Sequence, residues 1–406
     1  MIAQSDQRTF VREARFLLEE VLWTLLRMHH IKEGGTRPED IRINQEIPVG
    51  VPGLFADFRI AVPERPPYFL EIKYGYPSER IVRNVGRKFG VDTPGTQGAE
   101  KLIVLVDQSS RPDWEILGKE LQGRLRRGLE LEVWNEERLY AEIRKHFEIE
   151  IDSLTNPESL YGLRAGMDHA QGRYAFGASY ADDPLHASLL WHLSFWRLHA
   201  LCRQGGLAAT EVLAPNIHPE AVAIFADLSS FSSYVRDTRD DRTVRYVLSS
   251  FYLKARNHVL NTGGMLYQLP GDGVIALFGI PTRDGRYQSL ALECARGLLD
   301  IGASVSREWQ RLIDHVQTSA GCHIGIAMGD LSMLSQRPFS RDQIACIADC
   351  VNMSARLSTA AACDEIVVSN AFLQKLRDEE QELFVESEPV EARNIGRIRA
   401  WKFHRN

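Results

Sequence analysis

Apolar residues recur with helical period between Gln7 and His29, where Phe10, Ala14, Leu17, Leu18, Val21, Leu25 and Met28 mark one face. Strand-like runs follow at Leu54–Val62, Tyr68–Tyr74 and Lys101–Val106, and Pro63-Glu64-Arg65-Pro66-Pro67 parts the first two as a turn. A helix, a hairpin and a further apolar strand predict an α/β or α+β domain over residues 1–151. Residues 152–214 read as a helical connector holding one strong helix, Pro184–Gln204, closed by Gly205-Gly206. Its stripe of Trp191, Phe195, Leu198 and Cys202 fits core or dimer packing.

From residue 215 the pattern alternates. Strand Ala221–Ala226 precedes a helix at Val244–Asn261, then a strand, turn and strand over Met265–Phe278 with Gly271-Asp272-Gly273 at the tip. A helix at Ser289–His315, strand His323–Met328, helix Asp349–Ala360 and strand Glu365–Val368 complete the order. That βαββαβ succession predicts a ferredoxin-like arrangement for residues 215–406.

The length of 406 residues accommodates two to three domains. Apolar residues at 44% and a net charge of −6 describe an ordinary globular chain without a global basic field for nucleic acid or membrane. The six cysteines include Cys346 and Cys350 in a C-x3-C spacing, but no second pair or nearby histidine completes a zinc set. They read as free thiols in a reducing cytoplasm. The first residues lack an apolar signal core, and the most lipid-like stretch, Leu185–Cys202, carries His186, His192, Arg197 and His199. A cytoplasmic protein with no membrane span is expected.

Asp227 ends an apolar strand and is followed by Leu-Ser-Ser-Phe-Ser-Ser at the start of a helical stretch. Asp272 sits at a hairpin tip, 272 − 227 = 45 residues later. Alone they read as a helix cap and a turn-forming Asp. Together they supply the two carboxylates that Mg²⁺ takes when phosphate oxygens and water fill the rest of its shell. Asn352 and Arg356, four residues apart, share one helix face. As a pair they are either a solvated surface or a ribose and phosphate contact.

Four stretches in order, Ile-Phe-Ala-Asp-Leu-Ser-Ser-Phe (224–231), Leu-Pro-Gly-Asp-Gly-Val-Ile-Ala-Leu-Phe-Gly (269–279), His-Ile-Gly-Ile-Ala-Met-Gly (323–329) and Val-Asn-Met-Ser-Ala-Arg-Leu (351–357), resemble the class III adenylate and guanylate cyclases. The resemblance covers nearly all of 215–406. It implies Asp227 and Asp272 as ligands of two Mg²⁺ or Mn²⁺ ions, and Asn352 and Arg356 as catalytic contacts to ribose and phosphate. It places Phe231 and Ser232 among the substrate contacts. It further implies a homodimer with shared sites, Asp227 and Asp272 of one subunit facing Asn352 and Arg356 of the other.

The family's purine-reading positions fall at Gln268 and Ala345, where neither the Lys/Asp nor the Glu/Cys pair is present. In this the chain looks like the pyrimidine cyclases of the Pycsar antiphage systems, which implies CTP or UTP as substrate, with Tyr267 filling space a purine would need. A cyclase that accepts ATP through other residues is the alternative. A triphosphate-binding residue near the tail resembles Arg393 best, with Arg397 and Arg399 beside it.

In the first zone, Glu71 and Lys73 share one side of their strand, and Asp57 opposes Ala56, Phe58 and Ile60 in the other. Two acids and a lysine on one hairpin face suit metal-assisted hydrolysis, or merely a half-exposed hairpin. The D-x13-E-x-K spacing resembles the restriction-endonuclease-like PD-(D/E)xK fold, with Glu19 or Glu20 as a further ligand. Arg80, Arg83, Arg87 and Lys88 read as a solvated helix face or a phosphate contact. The resemblance implies a regulatory module sensing nucleic acid or a phage-derived ligand. The competing reading is a nucleic-acid-binding or nuclease protein with a regulatory cyclase-like domain.

Overall fold

The computed structural model describes residues 2–107, 114–151, 157–178, 189–204, 212, 214, 216–317, 319–335, 344–392 and 396–403. The chain divides into two compact units, Met1–Ala181 and Asp182–Asn406. Among the described residues no helix is long and apolar enough to cross a membrane, and the six cysteines are free thiols.

The first unit opens with α1 (Ile2–Lys32) and a five-stranded sheet ordered β1 (Arg42–Pro48), β2 (Phe55–Ala61), β3 (Tyr68–Lys73), β4 (Lys101–Val106), β5 (Glu130–Trp134). β1, β2 and β3 pair antiparallel, and β3, β4 and β5 parallel. The uninterrupted apolar run of β4 suits a strand covered on both faces. α2 (Ser78–Phe89) joins β3 to β4 and α3 (Trp114–Gln122) joins β4 to β5, and α4 (Glu136–Phe147) and α5 (Pro157–Phe176) follow β5. Ile81, Val85 and Phe89 turn one face of α2 into the core with Phe69, Leu102 and Val104. β1 departs from the expected plan. Its sequence, RINQEIP, hides the strand behind polar letters, and Glu46 turns at φ 54° opposite Asp57 without changing the register with β2.

The connector expected over 152–214 is divided between the units, since α5 packs on α1. The continuous helix expected over Pro184–Gln204 is interrupted. Residues 189–192 are helical, Leu193 and Ser194 are not, and α6 (Phe195–Gln204) begins afresh. The Ser194 hydroxyl accepts from Arg197 N at 3.1 Å, an N-cap bond that starts the second helix. Residues 184–188 and 205–206 lie outside the described residues.

The second unit is built on β6 (Ile217–Leu228), α7 (Phe231–Asp237), α8 (Asp241–Asn261), β7 (Met265–Gln268), β8 (Gly273–Phe278), α9 (Tyr287–Ile313), β9 (Cys322–Ser335), β10 (Ile344–Ala348), α10 (Asp349–Ala360) and β11 (Ile366–Ser369). Strand order β9-β6-β8-β7 is that of a βαββαβ ferredoxin-like sheet. β11 extends it in parallel beside β9, and β10 folds back antiparallel on the far end of β9.

One face of the sheet presents Val222, Ile224, Ala226, Ile324 and Ile326 to Phe251, Val259, Leu298 and Val305 of α8 and α9. The other face carries Gly325, Ala327 and Gly329 along β9 by strand alternation. α10 lies directly on them. A Cβ at Gly325 would collide with Ser354 O and Ser358 N and stand 2.9 Å from Leu357 C. Backbone therefore rests on backbone, and Gly325→Ala is expected to destabilise the second unit by about 3 kcal/mol, read as a lower urea midpoint.

Candidate functional site

The register of β6 decides where its last carboxylate goes. Asp227 stands level with Gly273 of β8 on one side and His323 of β9 on the other. Alternation puts it on the face shared with Ala221, Ala223 and Phe225, the α10 side of the sheet. Asp272 sits one residue before Gly273 at the hairpin tip, where Gly271 turns at φ 59° and its carbonyl accepts the Tyr252 hydroxyl. Gly273 makes room for the meeting, since a Cβ there would stand 3.2 Å from Asp227 Oδ1.

The two carboxyl groups hydrogen-bond each other. Burial first, and the charge of Asp272 second, push the Asp227 carboxyl up to about 7. Burial raises Asp272 as well, partly offset by its own N–H and by His323. His323 Nε2 lies 3.7 Å from Asp227 Oδ2, and its Nδ1 meets Ser229 Oγ at 3.2 Å. Burial lowers this imidazole's pKa despite the attraction of Asp272. Among the described residues no lysine or arginine pairs with either acid. Two adjoining, partly buried carboxyl groups with no lysine or arginine partner among the described residues are a donor set that fits a divalent cation.

Asn352 and Arg356 lie elsewhere. Cys350, Ser354, Leu357 and Ser358 are the buried residues of α10, so the pair two residues on falls on the helix face turned away from the sheet. Asn352 is exposed and Arg356 half-buried, and among the described residues no hydrogen bond engages either side chain within the chain.

Tyr267 is buried, and its hydroxyl accepts from Cys346 N at 3.2 Å. The positions expected to read the base, Gln268 and Ala345, are thus brought near each other by their immediate neighbours. The β7–β8 pairing shifts register at Tyr267 and leaves Gln268 exposed. Phe231 packs edge-on to Trp309 with ring centroids 5.8 Å apart, and Ser232 is exposed. Arg393 lies outside the described residues.

In the first unit, β2 and β3 carry Asp57, Glu71 and Lys73 into one buried cluster. Ile72 N donates to Asp57 Oδ2 at 2.6 Å, and Lys73 Nζ reaches that oxygen at 3.4 Å while also pairing with Glu71. Two further cations join that the pattern of letters did not single out for this cluster. Lys88 Nζ meets Glu71 Oε2 at 2.7 Å, and Arg15 meets Asp57 Oδ1 at 3.2 Å. Lys88 therefore departs from its run, for Arg80, Arg83 and Arg87 stay exposed while it turns inward. Its place one residue before core Phe89 was the available signal.

Burial would raise the Asp57 carboxyl, but Lys73, Lys88, Arg15 and the Ile72 N–H together hold it well below the usual range. Lys73 is lowered by burial and raised more by Asp57 and Glu71. Of the two α1 acids offered as a further ligand, Glu19 is buried beside Arg15 at 3.5 Å, whereas Glu20 pairs with Arg164 of α5 at 2.9 Å.

No family model matches the chain, and no curated protein matches it in sequence. Several solved structures are similar to the chain. The guanylyl cyclase Cya2 is 19% identical, with 47% of this chain and 93% of that chain covered at a TM-score of 0.42. The adenylyl cyclase CyaB from P. aeruginosa is 14% identical over 47% of this chain and 97% of that chain, also at 0.42. The guanylate cyclase domain of RhGC from Catenaria anguillulae, in complex with GTP, is 13% identical over 47% and 98%, at 0.38.

The acid pair has a stability consequence. A carboxyl whose folded pKa is raised supports the fold fully below about pH 4 and loses that support as pH rises through about 7. In metal-free buffer at pH 8, Asp227→Asn should therefore be more stable than wild type by on the order of 1 kcal/mol, solvent screening allowed for. At pH 4 the two should coincide. Added Mn²⁺ should raise the urea midpoint of wild type alone.

Proposed function

We propose that residues 215–406 form a class III nucleotide cyclase domain, which closes a nucleoside triphosphate into a 3′,5′-cyclic nucleotide with release of diphosphate. One observation carries this reading: Asp227 and Asp272, far apart in sequence, meet at the end of β6, where burial raises both carboxyl groups and among the described residues no lysine or arginine pairs with either. Mg²⁺ or Mn²⁺ ions, two per site, would be held by these carboxylates and would supply acidification of the 3′-hydroxyl and neutralisation of the triphosphate. Asn352 would hold the ribose and Arg356 the phosphoryl charge that develops as the α-phosphorus is attacked.

The outward display of Asn352 and Arg356 supports a two-fold homodimer in which each site takes the acids from one subunit and the α10 pair from the other. Asp227→Ala and Arg356→Ala chains, each inactive alone, should on mixing recover about a quarter of wild-type turnover. Half the dimers are then mixed, each with one intact pocket of two. Proven subunit exchange without recovery would exclude shared sites.

For the base, CTP or UTP is favoured over ATP and GTP. Gln268 and Ala345 cannot reproduce either purine-reading pair, and the Tyr267 hydroxyl is engaged by Cys346 N, so the base would meet the ring rather than the hydroxyl. Incubation with each of the four triphosphates and Mn²⁺ tests both levels of the reading. A pyrimidine preference of roughly tenfold to several-hundredfold in kcat/KM is expected. ATP turnover at least equal to both pyrimidines leaves the alternative, an adenylate cyclase of unorthodox base recognition. No cyclic product from any triphosphate overturns the cyclase itself. Such a product would act as a cytoplasmic second messenger, in antiphage defence if the likeness to the pyrimidine cyclases extends to role.

The first unit is read as a restriction-endonuclease-like sensor of nucleic acid or a phage-derived ligand. Its charge favours sensing over cleavage. Asp57, Glu71 and Glu19 are matched by Arg15, Lys73 and Lys88, which leaves no surplus of negative charge to call in a metal ion.

A further inference from the structure

The C-terminal turn of α1 and the last turns of α4 present a second set of donors, away from the Asp57 cluster. His29 lies in the last turn of α1 and Glu33 in the turn just past it, its N–H bonding back to His29 O at 2.9 Å, while Glu142 and His146 lie four apart on one face of α4. The two helices pack against each other. His29 Nδ1 stands 3.2 Å from His146 Nε2, and Glu33 carboxylate oxygens stand 3.7 Å from the former and 3.9 Å from the latter. Donor atoms around a tetrahedral ion with bonds of about 2.0–2.1 Å are separated by about 3.3 Å.

We propose that His29, Glu33 and His146 form a three-ligand site for a divalent transition metal, zinc by preference. Two imidazoles and one carboxylate are the donor chemistry of Zn²⁺ and are too poor in oxygen for Mg²⁺ or Ca²⁺. Burial lowers the pKa of both imidazoles, against the opposing pull of Glu33 and Glu142. Glu142 Oε2 lies 3.5 Å from His146 Nε2, the ligating nitrogen, with its other oxygen on Arg138, and adds negative charge beside the site. Lys145 holds Glu33 Oε1, which leaves Oε2 to the metal. The Lys32 ammonium donates to His146 O at 2.6 Å and fixes the end of α4 without touching the ring nitrogens.

Three protein ligands leave a coordination position open. His29 and Glu142 also line a cavity of about 250 Å³ with Tyr68, Lys101, Glu132 and Trp134, which gives a small ligand room to enter beside the metal. The site is independent of the cyclase reading, and no residue of it belongs to either cluster described above.

The test is metal content and Co²⁺ spectroscopy of the full chain, stripped with chelator, reloaded with Zn²⁺ or Co²⁺ and desalted. Wild type and Asp227→Asn are expected to retain about one zinc and to give the intense visible bands of four-coordinate Co²⁺. His29→Gln should lose both signals, and Glu33→Gln should bind at least about tenfold more weakly. These two residues are chosen because His146 is buried and His29 and Glu33 are not, so their replacement spares the core. Zinc retention equal in wild type and His29→Gln, or no zinc retained by wild type, would overturn the assignment and leave a His–His hydrogen bond within an ion-pair network.

Discussion

The pairing of β6 between β8 and β9 is the constraint on which the second unit depends. Because side chains alternate along a strand, a slip of one residue would carry Asp227 to the opposite face and bury it against Phe251 and Val259. The same slip would expose Val222, Ile224 and Ala226, so the apolar face pins the register and the register delivers the acid. Gly273 completes the arrangement by leaving room at the level where the strand and the hairpin tip converge.

The two acid clusters solve the same electrostatic problem in opposite ways. In the first unit Glu71 is fully buried, yet two lysines reach it, and Asp57 is held by an arginine and a backbone N–H. Such a set is neutral and rigid, and removal of one partner would strand a buried charge. In the second unit burial and the neighbouring acid disfavour the charged form of Asp227, and among the described residues no lysine or arginine offsets this. The contrast is between a cluster neutralised by its own cations and a pair left without them, and perturbed carboxyl groups of the second kind mark a candidate site.

Much of this was legible because periodicity and punctuation agreed. α10 emerged at Asp349–Ala360 as expected, and the turn Gly271-Asp272-Gly273 fell between two apolar runs with nothing competing for it. What escaped was decided by distant partners. β1 is a strand because Phe58 and Ile60 across the ladder need cover, though its own letters are polar. Lys88 reads as the end of a basic run until the packing of Phe89 rotates it inward. The break at Leu193–Ser194 is local, but a serine inside an apolar helical pattern carries no mark that it will cap rather than continue. That His323 stands beside Asp227 follows from a pairing between strands almost a hundred residues apart, which no local pattern contains.

The bare contact between α10 and β9 has a mechanical side. Side chains between a helix and a sheet act as a compliant layer, because rotamers shift and absorb small displacements. Here Gly325 removes that layer, and Ser358 Oγ is tied to His323 O at 3.3 Å. The strand that ends beside Asp227 and the helix that displays Asn352 and Arg356 are therefore one stiff body. With so little compliant material between them, a displacement at His323 is expected to carry α10, and Arg356 with it.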